Sequence, residues 1–403
     1  MEGWQRAVLA FIVIAAVMWT VQAVTIRWWG VKPESVPPIS FPGQEWLGGL
    51  FRWDGGWYSG IARDGYSWAP RTQANVAFFP SFPLAQRLVT PLVGDVVIAG
   101  IVVSTLSGLA ATVALWVWMG RVGLGEAQRR TALLVTLLYP YGVFLFGVVY
   151  GDALFVLACL GAFLLAEWRH WWLAGVVGIV ATAGRPTGIA LSVGLLVLAL
   201  ERGGTLAPPD GDGLLARWKV PVRVDLHRLR AWQVVPAVIS AGGLAAYCFY
   251  LWNRWGDPLL FSTTQKYWGQ PSGWRTWVKQ EYFHLVFHSD YAGMLSRPQS
   301  GLILGTRTLQ GLVLLAVFVS VPLVGRRFGW GYAMFVLTLV AIAMVGTKDF
   351  HGGGRYMMAA FPVFVLLGER LSARPAIARA WIITSALVAV AMMSFYAHGV
   401  YLT

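Results

Sequence analysis

Apolar residues recur in long runs from residue 7 to residue 397, separated by shorter polar stretches rich in Gly, Pro, Arg and Trp. The runs lie near Ala7 to Ile26, Gly94 to Met119, Thr131 to Val149, Asp152 to Ala166, Trp172 to Thr182, Thr187 to Leu200, Val234 to Trp252, Leu309 to Val324, Trp330 to Val345, Met357 to Leu367 and Trp381 to Phe395. A helix needs about 20 residues to cross roughly 30 Å of hydrocarbon, so several runs must either extend into their flanks or be broken helices. The pattern predicts an all-α polytopic membrane protein with about eleven transmembrane helices, a single integral domain over residues 1–403. The first run follows Arg6 and exceeds a signal-peptide core, although Val21, Gln22 and Ala23 resemble a cleavage site, and it reads as a retained helix.

The connections test this order. With a cytoplasmic N-terminus, every inner segment carries basic residues: Arg6; Arg121, Arg129 and Arg130; Arg169; Arg202, Arg217, Lys219, Arg223, Arg228 and Arg230 in a loop at about 201–231; Arg326 and Arg327; Arg370, Arg374 and Arg379. The 201–231 loop, with Gly203, Gly204, Pro208 and Pro209, reads as a flexible cytoplasmic connector. Two long outer loops, about 27–93 and 253–307, then share the extracytoplasmic face with the turns Tyr150–Asp152, Gly184–Pro186 and Lys348–Tyr356. Most of the unusual polar residues fall on that face, so a multi-pass cell-membrane protein with an extracytoplasmic site is expected.

Composition sharpens the class. The chain is 57% hydrophobic and 12% charged, where a soluble chain would carry about a quarter charged residues. The 31 Lys and Arg outweigh 18 Asp and Glu, but they sit between apolar runs, so topology and anionic membrane lipids explain them better than nucleic acid does. Cys159 and Cys248 lie inside apolar runs, which excludes a disulfide framework. The 22 Trp and 14 Tyr fit interfacial belts and a sugar-handling surface.

The first outer loop carries Phe51-Arg52-Trp53-Asp54-Gly55-Gly56-Trp57-Tyr58, with Ile61, Ala62, Arg63 and Asp64 beyond. At 100° per residue Asp54, Tyr58, Ile61 and Ala62 fall on one side, which predicts a short amphipathic interfacial helix. Trp53, Trp57 and Tyr58 would hold it at head-group level, with a carboxylate just above the hydrocarbon edge. Either Asp54 is a helix N-cap beside ordinary aromatic anchors, or it faces the polar head of a lipid-borne substrate.

The string Arg52-Trp53-Asp54, Trp57-Tyr58, Ile61-Ala62 and Gly65-Tyr66, followed by Ala77-Phe78-Phe79-Pro80 and Pro83-Leu84, resembles the first luminal loop of the PIG-V family. Its eukaryotic members add the second mannose in glycosylphosphatidylinositol assembly, and bacterial relatives have this same loop. The similarity continues in order at Ala183-Gly184-Arg185-Pro186-Thr187-Gly188, Trp255-Gly256-Asp257-Pro258-Leu259 with Gln265 to Trp268, and Gly353-Gly354-Arg355-Tyr356 with Phe361-Pro362. The resemblance implies a GT-C glycosyltransferase that takes mannose from a polyprenyl phosphate at the non-cytosolic face. It also implies an acidic first-loop residue as catalytic base, here matched by Asp54.

An inverting transfer needs one base for the acceptor hydroxyl and positive charge for the departing phosphate. Arg185 is the first candidate for that charge; its alternative is an arginine that reaches the interface or pairs with Asp152. His351 and Arg355, around the glycines 352–354, are the second candidate, although a flexible turn explains those glycines equally well. Lys266 and Arg275 in the second outer loop are further phosphate or acceptor contacts, with surface solvation as the alternative. Asp152 is either an N-cap or a buried carboxylate facing Arg185 or Arg355. Asp64 is expected to position the acceptor or make a structural bond, and Trp53, Tyr58 and Tyr356 complete the candidate substrate-binding set.

His284 and His288 stand four residues apart without an HExxH glutamate, and the first loop lacks a paired acidic motif, so no metal or other cofactor is expected. The expected partners are a polyprenyl-phosphate-mannose donor, a glycolipid or glycan acceptor and membrane lipids. A glycolipid transporter or flippase is the rival class, and another polyprenyl-linked sugar is the rival within the enzyme class.

Overall fold

The computed structural model describes residues 3–270, 272–288 and 298–402; residues 271 and 289–297 of the expected second outer loop lie outside the described residues. The longer helices are α1 (Gly3–Trp28), α2 (Asp54–Asp64), α3 (Ser81–Val93), α4 (Val96–Arg121), α5 (Glu126–Leu137), α6 (Asp152–Glu167), α7 (Trp171–Thr182) and α8 (Ile189–Arg202). They continue with α9 (Ala231–Trp255), α10 (Gln280–His288), α11 (Pro298–Phe328), α12 (Trp330–Gly346), α13 (Phe361–Ser372) and α14 (Pro375–His398). A two-stranded antiparallel ribbon, β1 (Leu206–Ala207) with β2 (Arg223–Val224), sits in the 201–231 connector. The fold is all-α, as expected.

Among the described residues five helices, α1, α4, α9, α11 from Ile303 onward, and α14, are long and apolar enough to cross a bilayer. Their outward faces keep residues such as Ile12, Val13, Val238, Phe249, Phe318, Val319 and Leu387 about half exposed or more, an apolar surface that lipid would cover. The other expected spans are helices of 12 to 17 residues, roughly 18–26 Å long. Eleven spans are therefore not confirmed by helix length.

Two segments differ from the expected pattern. The run Thr131 to Val149 is not one helix: α5 stops at Leu137, and Pro140, which has no N–H and crowds the preceding turn, starts a 3₁₀ stretch to Leu145. Residues 141–151 are nonetheless buried, which is where irregular backbone at membrane depth is tolerated. The part of the first long loop before α4 also contains α3, whose buried face is Phe82, Pro83 and Gln86.

The helix ends divide the polar residues between two poles. At one pole Arg6 pairs with Glu126, Arg202 with Glu167, and Arg327 with Glu369, while Glu201 accepts the N–H groups of Trp330 and Gly331 at the start of α12. The opposite pole gathers the end of α1, all of α2, the starts of α6 and α8, the end of α12, the turn at 353–356 and the end of α14. Between the poles the packing is aromatic and aliphatic, with Trp118, Tyr332 and Phe361 at its centre.

Candidate active site

The chain enters α2 through a strained turn. Trp53 has φ 50°, a left-handed conformation uncommon for a bulky residue, and its N–H donates to the Ser35 carbonyl at 3.1 Å. Asp54 follows as the first helical residue, and its own N–H donates to the Tyr150 hydroxyl at 3.1 Å. Its carboxylate makes no capping bond. Instead Oδ2 lies 3.4 Å from an Arg355 guanidinium nitrogen, and Oδ1 accepts from the Tyr401 hydroxyl at 3.5 Å. The expected amphipathic helix is present, with Tyr58, Ile61 and Ala62 buried on the side of Asp54.

Behind Asp54 lies a second carboxylate. Asp152 begins α6, is 1% exposed, and sits 2.8 Å from Arg185 and 3.9 Å from Nε of Arg355. Its oxygens meet these cations as charge partners, not through well-aligned hydrogen bonds. Arg185 is held in extended backbone between α7 and α8, with its guanidinium 4.7 Å from the Phe155 ring centre and 5.8 Å from that of Tyr356. Arg355 is caged by the rings of Phe144, Tyr150 and Tyr356. Gly354 lets the Arg355 turn approach this cage, since a Cβ there would stand 2.2 Å from the Tyr141 ring.

These groups open onto a cavity of about 750 Å³. Asp54, Tyr58, Arg185, Lys266, His351, Arg355 and Tyr356 all line it. Its wall also carries apolar residues from α12, Ala341, Ile342 and Val345, with Phe79 and Phe261. Thr187 lines it too, its buried hydroxyl lacking a hydrogen-bond partner two residues from Arg185.

The remaining candidates lie elsewhere. Trp53 is not on the cavity wall; its ring packs edge-on against Tyr401 at 5.1 Å. Asp64 is exposed at the far end of α2, paired to Arg63 at 2.8 Å. Arg275 is exposed beside Trp274. Asp152 is the buried support beneath the cavity-facing pair. Three residues that the sequence did not single out complete the surroundings: Tyr401, Tyr150 and Lys279. Lys279 is 2% exposed and donates to the carbonyls of Met344 and Thr347.

Burial raises the Asp54 carboxyl above its usual range, with Arg355 pulling the other way. A carboxylate adjusted upward is a stronger base for a hydroxyl proton. His351 is driven down to about 2 by burial and then by Arg307, Arg355 and Lys348, so its imidazole is neutral and offers hydrogen bonds instead of charge. Among the described residues no group of three His, Cys, Asp or Glu is gathered as a metal would require. The arrangement offers a base on one wall, cations beside it, and an apolar flank.

No protein-family profile matches the chain. Over 168 residues it is 34% identical to GPI alpha-1,6-mannosyltransferase 2 of Cricetulus griseus, covering 39% of this chain and 33% of that protein. The enzymes of that name from Rattus norvegicus (33% over 167 residues) and Mus musculus (31% over 190 residues) match similarly. The resemblance to PIG-V proteins read from the motifs is thus present in these relatives, and the match spans about a third of their length. Among solved structures, the Archaeoglobus fulgidus oligosaccharyltransferase aligns with the whole chain and 56% of its own, at 14% identity and a TM-score of 0.44, and its apo form at 0.45.

Proposed function

We propose that this chain is an integral membrane glycosyltransferase of GT-C type, which moves mannose from a polyprenyl-phosphate donor to a lipid-glycan or other acceptor at the extracytoplasmic face, with inversion. The observation that carries this reading is the Asp54 carboxylate, held by Arg355 and Tyr401 on the wall of a cavity that also holds Arg185 and Lys266. The mannosyltransferase names of the partly matching relatives support the sugar and the reaction class.

In this mechanism the acceptor hydroxyl gives its proton to Asp54 while its oxygen bonds to the anomeric carbon. The bond from that carbon to the phosphate oxygen breaks on the opposite side, and the electron pair leaves with the polyprenyl phosphate, whose charge grows by one. Arg185 and Lys266 meet that added charge. The apolar wall from α12 suits the isoprenoid chain next to the phosphate. Asp54 then returns its proton to water.

The test is transfer of labelled mannose from polyprenyl-phosphate-mannose to membrane glycolipid or glycan acceptors by the purified protein. Asp54→Asn is expected to lower turnover by roughly a hundredfold or more, as for loss of a general base, with no change in expression or unfolding temperature. Unchanged turnover in the variant would remove Asp54 as base. Absence of transfer by the wild-type chain, with glycolipid translocation in its place, would favour a flippase.

A further inference from the structure

After α14 ends at His398, the chain turns back sharply across the site. Gly399 has φ 102°, and a Cβ there would lie 2.2 Å from the Ser35 hydroxyl oxygen, so this turn needs glycine for both conformation and space. The turn is anchored on the segment after α1. The Lys32 N–H donates to the His398 carbonyl at 2.8 Å, the His398 ring stacks on Trp29 at 4.1 Å, and Leu402 is buried just beyond. Ser35 serves both sides of the junction, since its carbonyl also receives the N–H of Trp53.

The result is a partly exposed ring set beside the Asp54 carboxylate. Tyr401 stands between Trp53, 5.1 Å away and edge-on, and His351, 5.1 Å away with rings 27° apart. It lines the cavity, and its hydroxyl reaches Oδ1 of Asp54 while Arg355 holds Oδ2. Contacts at both oxygens, at 3.4 and 3.5 Å, restrain the carboxylate's rotation about its Cβ–Cγ bond, and each oxygen retains a lone pair for an acceptor hydroxyl.

We propose that Tyr401 is a positioning residue for the transfer: its hydroxyl orients the Asp54 carboxylate, the base of the proposed reaction, toward the acceptor hydroxyl. This inference rests on the glycosyltransfer reading. The groups around Asp54 give the expected direction. Arg355 and the Tyr401 hydroxyl stabilise its charged form, and Asp152 opposes it. The Tyr150 hydroxyl accepts the Asp54 N–H, and Tyr58 and Tyr396 are the other phenols that face the same patch. Loss of the Tyr401 hydroxyl therefore raises the pH at which Asp54 gives up its proton.

The experiment compares Tyr401→Phe with the wild type in the purified full chain, measuring kcat and donor KM across pH together with thermal unfolding. The expected result is an unfolding temperature near that of the wild type and an unchanged donor KM. The kcat should fall roughly tenfold, the scale of one hydrogen bond to a charged group, with the acid limb of the profile moved to higher pH. Gly399→Ala, which displaces the turn, should move the acid limb the same way while the protein stays folded or partly destabilised. A Tyr401→Phe profile superimposable on the wild type overturns the proposal and leaves Asp54 as base intact. A lower unfolding temperature with kcat and acid limb unmoved also overturns it, in favour of a purely structural tyrosine. A wild-type chain that transfers no sugar, with Asp54→Asn indistinguishable from it, overturns the glycosyltransfer reading itself and this role with it.

Discussion

Asp54, Asp152, Arg185 and Arg355 form a patch whose formal charges cancel, and the protein environment makes that balance matter. Each guanidinium is shared or shielded: Arg355 lies between both carboxylates, and Arg185 is turned toward the deeper one. Asp152 raises Asp54 while Arg355 lowers it, so Asp152→Asn should move the acid limb of activity to lower pH. The same change frees Arg185 for the donor phosphate, and donor KM should fall. Two arginines would then share one carboxylate in a buried setting, costing about 3 kcal/mol of stability, which thermal unfolding would register. An acid limb shifted upward in this variant would contradict the charge ordering of the patch. His351 sits close by but neutral, so His351→Gln should leave the pH profile unmoved, which separates it from the arginines it accompanies in sequence.

At the scale of elements, the end of α12 forms one wall of the cavity, and its last carbonyls have no partners within the helix. Lys279 fills that gap from the second long loop, its amine reaching the carbonyls of Met344 and Thr347 and the Thr347 hydroxyl at 3.2 Å. Lys279→Met should lower stability by about 1–3 kcal/mol and raise substrate KM by loosening that wall, without shifting the acid limb. Thermal unfolding with steady-state kinetics checks both effects. Such a tie is invisible along the chain, because its partners are more than 60 residues apart and a lone lysine in a polar loop has no distinguishing neighbourhood. The same holds for Tyr401, which lies in no motif and meets Asp54 only through the turn at Gly399. What could be read in advance was local: the spacing of Asp54, Tyr58, Ile61 and Ala62 foretold the face of α2, and the apolar runs marked where the five long helices lie but not their lengths, since Leu309 to Val324 and Trp381 to Phe395 are much shorter than the helices that contain them. The break at Pro140 was equally local but masked by the hydrophobicity of Thr131 to Val149. Helix α3 was hidden because thirteen residues with an internal proline, Pro91, look like loop beside longer runs.

Across the whole molecule, the alternation of runs along the chain carries the farthest-reaching information. Reversal of direction at each run places Asp54, Asp152, Arg185, Arg355 and Lys266 at one pole, and the structure gathers these five around one cavity or directly beneath it. Their opposite pole holds the exposed pair Arg6 with Glu126, the pair of Arg202 with the buried Glu167 side chain, and the basic connector 203–230. By the positive-inside tendency we propose that this basic pole is cytoplasmic and that the cavity lies on the far side, where the proposed reaction would use a polyprenyl-phosphate sugar. This assignment can be tested without any assay of transfer. Cys159 is buried and Cys248 half-buried in α9, so an introduced thiol at an exposed site would dominate labelling by a charged maleimide. Asp64→Cys, at the free end of α2, should react in intact cells, and Arg217→Cys, in the connector, only after permeabilisation. The reverse pattern would turn the molecule over in the membrane, bring Asp54 to the cytosol, and leave a lipid-linked sugar on the extracytoplasmic leaflet out of its reach.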